Sequence, residues 1–101
     1  MTKADIVNEI ADKTGMDKLQ VLNIVENFMG VVKGNMSKGR NIYLRGFGSF
    51  IVKKRAAKTG RNISQNTAII IPEHYIPAFK PAKTFVEKVK KNVKDADPAS
   101  N

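Results

Sequence analysis

Residues 53–62 read Lys-Lys-Arg-Ala-Ala-Lys-Thr-Gly-Arg-Asn, and this stretch limits the fold more than any other. Side chains of a strand alternate between its two faces. One face would carry Lys53, Arg55, Ala57, Thr59 and Arg61, and the other Lys54, Ala56, Lys58, Gly60 and Asn62. Neither is apolar enough to lie on a core. The segment before it, with Ile42, Leu44, Phe50 and Val52, does have the pattern of packed strands. The chain therefore has to leave the body at Lys53. Gly60, Asn62 and Asn66 favour a turn, and residues 67–71 supply a return strand, which gives a projecting two-stranded arm with Ile63 near its end.

The charge has the same centre. The chain of 101 residues carries a formal net charge of +9. No Asp or Glu lies between Glu26 and Glu73, while Lys33, Lys38, Arg40, Arg45, Lys53, Lys54, Arg55, Lys58 and Arg61 all do. These nine cations equal the whole net charge, because the other nine Lys and Arg cancel the nine acids. A neutral frame with a basic middle points to a polyanionic partner, nucleic acid ahead of a membrane surface.

The remaining segments read as helices and a small sheet. Thr2 with Asp5 forms a capping-box pattern, Ile6, Val7, Ile10 and Ala11 recur at helical spacing, and Gly15 closes a first helix over residues 3–14. Asp17 with Gln20 opens a second, whose apolar residues run from Val21 to Met36 and include Phe28; Gly39 rather than Gly34 ends it. Its apolar stripe is too wide for one partner, and the roughly eighty residues outside the arm are near the lower limit for independent stability. A second copy is the simplest remedy. Beyond the arm, Tyr75, Ile76 and Phe79 are packing candidates, and Phe85, Val86, Val89 and Val93 mark a short last helix. The expected fold is α+β: two N-terminal helices, a three-stranded antiparallel sheet with a long projecting β-arm, and a short C-terminal helix. Residues 1–94 form one domain, with a helical dimerisation segment over 1–39, sheet and arm over 40–81 and the C-terminal helix over 82–94, followed by a flexible tail at 95–101.

Catalysis finds no support. With no Cys, disulfides, thiolate metal sites and cysteine nucleophiles are excluded, and His74 stands alone, so no catalytic residue, metal ligand, cofactor or small-molecule substrate is expected. Asp5 and Glu9 interrupt the N-terminal segment and no run approaches the ~18 apolar residues of a membrane span, which predicts an unexported, cytoplasmic chain with no membrane partner. Residues 45–52, Arg-Gly-Phe-Gly-Ser-Phe-Ile-Val, begin like an RNA-recognition signature. The likeness fails at Ser49 and Val52, and two leading helices do not suit that fold, so Phe47 and Phe50 read as core residues beside a glycine turn.

A cationic ribbon can follow a phosphate backbone, and Ala56, Ala57, Thr59 and Gly60 let its backbone approach closely. Ile63 has two readings at this stage. It is a wedge that enters a base step from the minor groove, or it packs across the hairpin onto Ile69 or another arm side chain.

Arg-Gly-Phe-Gly-Ser-Phe at 45–50, Lys-Arg-Ala-Ala-Lys-Thr-Gly-Arg-Asn at 54–62 and Pro-Ala-Phe-Lys-Pro-Ala-Lys at 77–83 resemble the bacterial histone-like HU and integration-host-factor family, over residues 1–94 in order. The resemblance implies an intertwined homodimer, or pairing with a paralogue, whose two arms clasp the minor groove of double-stranded DNA and bend it in the nucleoid. Largely sequence-tolerant binding is the main expectation, with a site-selective bending factor of the integration-host-factor type, or an RNA binder, as alternatives. It implies DNA contacts from Arg55, Lys58, Arg61 and Asn62 on the arm, Lys53 at its base, and Lys3, Lys80 and Lys83 on the body; Arg45, in the basic middle, is counted with them as a DNA-binding candidate. Gly46 belongs to the turn, and Phe28, Phe47, Phe50 and Phe79 are assigned to the dimer core. Ile63 stands where the family usually has an intercalating Pro, and Asn66 and Ala82 stand where it usually has Gly.

Overall fold

The computed structural model describes residues 1–62 and 67–93, and the side chains of all of these except Arg61 and Asn62. Ile63, Asn66 and the tail at 95–101 lie outside the described residues. The elements run α1 (Lys3–Thr14), α2 (Lys18–Met36), β1 (Ile42–Leu44), β2 (Gly48–Arg55), β3 (Lys58–Asn62), β4 (Thr67–Ile71), β5 (His74–Pro81) and α3 (Lys83–Asn92). No helix among the described residues is long and apolar enough to cross a membrane.

The ends of α1 follow from its caps. The Asp5 N–H donates to Thr2 Oγ1 at 3.3 Å, and the Thr2 N–H donates back to Asp5 Oδ2 at 2.9 Å. At the other end Gly15 takes a left-handed φ of 71° and its N–H reaches the Ala11 carbonyl at 2.9 Å. Asp17 does cap α2 by position, but its side chain makes no capping hydrogen bond. α2 ends at Met36, three residues before Gly39. Gly39, at φ 82°, closes the following turn with its N–H on the Met36 carbonyl.

Helices α1 and α2 pack through Val7, Ala11 and Val21, with Leu22 and Val25 partly buried beside them. These three are the only buried hydrophobic side chains among the described residues. Ile24, Phe28, Val31, Phe47, Val86 and Val89 remain exposed by 42–61%. The chain shows 8741 Å² of accessible surface, where a compact monomer of its mass shows about 5,700 Å². The radius of gyration is 18.7 Å, against about 13 Å for a compact domain of a hundred residues.

The sheet has the order β1-β2-β5, antiparallel throughout. Leu44 and Phe47 close the β1–β2 turn, with the Phe47 N–H on the Leu44 carbonyl at 3.0 Å and Gly46 at φ 81° in the third position, where a type II turn needs glycine. Asn41 extends the edge by accepting the Val52 N–H at 2.9 Å.

The arm departs from the expected single hairpin. Lys53, Lys54 and Arg55 stay in the body's sheet, opposite Ile76, Tyr75 and His74 of β5, so the chain leaves the body later than Lys53. Ladder pairing resumes at Lys58 opposite Ile71, in a separate two-stranded sheet of β3 and β4. The interruption sets Ala56 and Ala57 against Pro72 and Glu73, and Pro72 has no N–H to give a ladder. α3 is likewise shorter than 82–94, with Ala82 and Val93 as its caps.

Candidate nucleic-acid interface

Residues opposite one another across an antiparallel ladder share a face, so the register sorts the sheet into two surfaces. One holds Ile42, Leu44, Phe50, Val52 and Phe79, ending in Lys54 and Tyr75. Phe50 and Phe79 pack at 5.0 Å between ring centroids; Phe47 lies 5.2 Å from Phe79, and Phe85 of α3 stacks on Phe47 at 5.5 Å. The Ala82 N–H, bonded to the Phe47 carbonyl at 2.9 Å, ties α3 to the turn. The two phenylalanines of the RNA-like signature thus both pack against Phe79. Phe28 sits apart on α2 and is 46% exposed, and Phe85, marked from sequence only as a helix residue, completes the cluster.

The opposite surface carries Tyr43, Ser49, Ile51, Lys53 and Arg55, with Lys80, Ala78, Ile76 and His74 across from the last four. Lys53, Arg55 and Lys80 therefore share one face. Tyr43, Ser49 and Lys80 form a row across all three strands, and together with Arg45 and Lys83 they line one shallow concavity at the start of α3. Tyr43 and Ser49 were not singled out from sequence, although their alternation with Lys53 puts them in phase with it. α3 has no acid in its first turn and no side-chain cap, so its first N–H groups are open to an anion.

Lys3 differs. Its Nζ lies 2.6 Å from Glu26 Oε1, and the Lys3 hydrogen bond and then its charge hold the Glu26 carboxyl below its usual range. Asp5 already brings a carboxylate to the first turn of α1, kept ionised chiefly by the Thr2 N–H and then by the Thr2 hydroxyl. Both partners of the Lys3 pair are about half exposed; such a pair is worth ~0–1 kcal/mol, little to give up for a phosphate. Lys54 is similarly engaged with Glu73 at 3.1 Å. The two acids that bound the acid-free interval are each matched by a lysine.

On the arm, Lys58 and Gly60 share a face with Ile71 and Ile69, while Thr59 shares the other with Ile70. A methyl group on Gly60 would touch the Ile71 side chain at 3.8 Å, which places that side chain over the glycine. Among the described residues no three His, Cys, Asp or Glu side chains group as metal ligands would.

Comparisons with known proteins bear on the family and the fold. A family model described as bacterial DNA-binding protein matches residues 1–90. The chain is 41% identical to the DNA-binding protein HU of Thermus thermophilus over 91 residues, 90% of this chain and 94% of that one. It is 39% identical to the HU protein of Thermotoga maritima over 90 residues, 89% of this chain and all of that one. Among solved structures it resembles an Anabaena HU–DNA cocrystal structure, with a TM-score of 0.84 and 35% identity over 88% of this chain and 97% of that one. With its helices, sheet, arm and C-terminal helix in the same order, the chain belongs to the bacterial DNA-binding protein family that includes the HU proteins.

Proposed function

We propose that the protein is an architectural DNA-binding protein of the nucleoid. It acts as a dimer whose arms lie in the minor groove and bend the duplex with little dependence on sequence. The observation that carries this reading is the sorting of charge by the sheet: Lys53, Arg55 and Lys80 on the face away from the phenylalanines, continuous in sequence with an arm that bears Lys58 and Arg61 and no acid. Such a surface gains affinity from phosphates by releasing counterions. Minor-groove edges distinguish little beyond A·T from G·C, so site preference enters through the deformability of the duplex.

In this reading Arg45, Lys80, Lys83 and the start of α3 take backbone phosphates on the body. Lys53 and Arg55 continue the track to the arm, and Lys58, Arg61 and Asn62 contact the groove. Lys3 joins by exchanging Glu26 for a phosphate. Ile63 is the apolar wedge, in place of a proline ring. The surface in excess of a compact monomer, about 3,000 Å² by the same size relation, is partly arm and partly the uncovered apolar groups of α2, α3 and the phenylalanine cluster. Obligate homodimers bury about 2,000–5,000 Å² or more in total, half of it on each chain, so a second copy would cover a large share of that excess. The packing of Phe47 and Phe50 with Phe79 speaks against base stacking of the RNA-recognition kind.

Energy transfer between dyes at the two ends of a duplex of about thirty base pairs, long enough for a bend to register, tests the reading. Titration at two salt concentrations should shorten the end-to-end distance with an affinity that falls steeply in salt, and Ile63→Ala should bind with less shortening. Binding without shortening by the parent protein would remove bending from the function. Equal shortening by Ile63→Ala would remove the wedge.

A further inference from the structure

His74 is the only histidine of the chain, and the register gives it a position that sequence alone does not. It opens β5 on the face of Ile76, Ala78 and Lys80, and its partner across the ladder is Arg55, with Lys53 on the same face of β2. Opposed residues of an antiparallel pair hold their Cβ atoms ~4.5–5.5 Å apart, so the exposed His74 stands beside Arg55 at the foot of the arm. Its Nδ1 lies 2.9 Å from the Pro72 carbonyl oxygen. A carbonyl only accepts, so Nδ1 carries the proton of the neutral ring and Nε2 is left with a lone pair. In that form Nε2 offers a phosphate oxygen nothing but a second acceptor. Protonation turns Nε2 into a charged donor and leaves the Pro72 bond in place.

The charged groups around the ring decide when that happens. On β2 they are Arg55 opposite and Lys53 on the same face, with Lys58 at the start of β3 beyond, and Tyr75 lies on the other face of β5. The neighbouring acid, Glu73, has its carboxylate 3.1 Å from Lys54, a residue of the phenylalanine face. The free protein thus sets cations beside the imidazole, whereas a DNA phosphate brings the anion that favours its charged form. We propose that His74 is a proton-dependent phosphate contact at the foot of the arm: the imidazolium donates Nε2–H to a backbone phosphate beside Arg55, keeps Nδ1–H on the Pro72 carbonyl, and couples duplex binding to uptake of a proton from solvent. The inference rests on the DNA-binding reading above and adds to it a contact residue and a pH dependence. Arg55 and Lys53 hold their charge throughout, so loss of the proton weakens the contact without abolishing binding.

Duplex affinity, read by fluorescence anisotropy at fixed salt between about pH 8 and about pH 6, the range in which histidine changes charge, tests this in the parent, His74→Gln and His74→Arg. Parent affinity should rise as pH falls, by at most about tenfold per pH unit for each imidazole protonated on binding, and its salt dependence should steepen toward the acid end. His74→Gln should keep the parent's weaker alkaline affinity and His74→Arg its stronger acidic one, each nearly flat across the range. A gain by His74→Arg at the alkaline end is a result that a merely structural role for the ring would not give. Calorimetric titration in two buffers of different ionisation enthalpy should show proton uptake by the parent and none by either variant. A parent profile as flat as that of His74→Gln, a pH dependence or proton uptake that survives in His74→Gln, or no alkaline gain by His74→Arg would each overturn the proposal. Failure of the parent to bind the duplex at any pH would instead remove the DNA-binding reading, and this contact with it.

Discussion

Gly48 and Phe79 touch so closely that a methyl group on Gly48 would stand 2.6 Å from the Phe79 ring and 2.7 Å from the Lys80 carbonyl oxygen. The ring could turn away, but the Lys80 carbonyl belongs to the β2–β5 ladder and cannot. Gly48→Ala should therefore destabilise by ~1–3 kcal/mol, the usual cost of overpacking. Urea unfolding at fixed protein concentration measures it; a midpoint equal to the parent's would mean that the β1–β2 turn and the aromatic cluster are not packed as described.

Lys80 and Lys54 both lie on the β2–β5 ribbon but on opposite faces, and Lys54 has Glu73 as a partner. Lys80→Ala should weaken duplex binding for all sequences alike and lower the slope of log affinity against log salt by about one. Lys54→Ala should leave that slope nearly unchanged. A reversed pattern would place the DNA on the phenylalanine side of the sheet.

Val89 is 47% exposed beside the Phe47–Phe85 pair. If a second copy covers this surface, Val89→Asp buries an unpaired charge at a cost of several kcal/mol, and sedimentation at micromolar concentration should move from twice the chain mass to once. At a solvated position the same change is worth within ~0.5 kcal/mol, and the mass would not change.

Asp5 and Glu26 titrate in the folded protein below their usual values of 3.8 and 4.5. A carboxyl with a depressed folded value contributes its stability above the unfolded value and loses it as pH falls through the folded one. The thermal midpoint should therefore decline below about pH 4.5 and continue to decline below 3.8 as these groups protonate. Asp5→Asn and Glu26→Gln should each flatten a share of that decline, as scanning calorimetry across pH would register.

The elements of the fold that were legible in sequence are those whose signals are local. α1 was readable to the residue because Thr2, Asp5 and Gly15 state both ends in short-range chemistry. The end of α2 was misplaced because Gly39 closes the turn after the helix rather than the helix itself. The arm was readable as a consequence of two polar faces, but its division into two sheets was not. Ala56 and Ala57 suit a strand or a break equally, and the deciding residue, Pro72, lies opposite them on the return path, a relation that exists only once the register is known. The same holds for the site. Period-two alternation aligns Lys53 with Arg55, but joining Lys80, Tyr43 and Ser49 to them requires the register of three strands. The Lys3–Glu26 pair depends on how two helices dock, which no local pattern encodes.

The interruption at Ala56, Ala57, Pro72 and Glu73 leaves β3 and β4 as an isolated two-stranded ribbon, and such a ribbon is marginal in water by itself. Little of the body's folding energy is then invested in it. A protease cut there would leave the body's thermal transition intact while removing whatever the arm contributes to DNA binding. Substitutions there are likewise under little folding constraint, so sequence drift in the outer arm records selection by the nucleic acid, whereas drift in the body records selection for a stable fold.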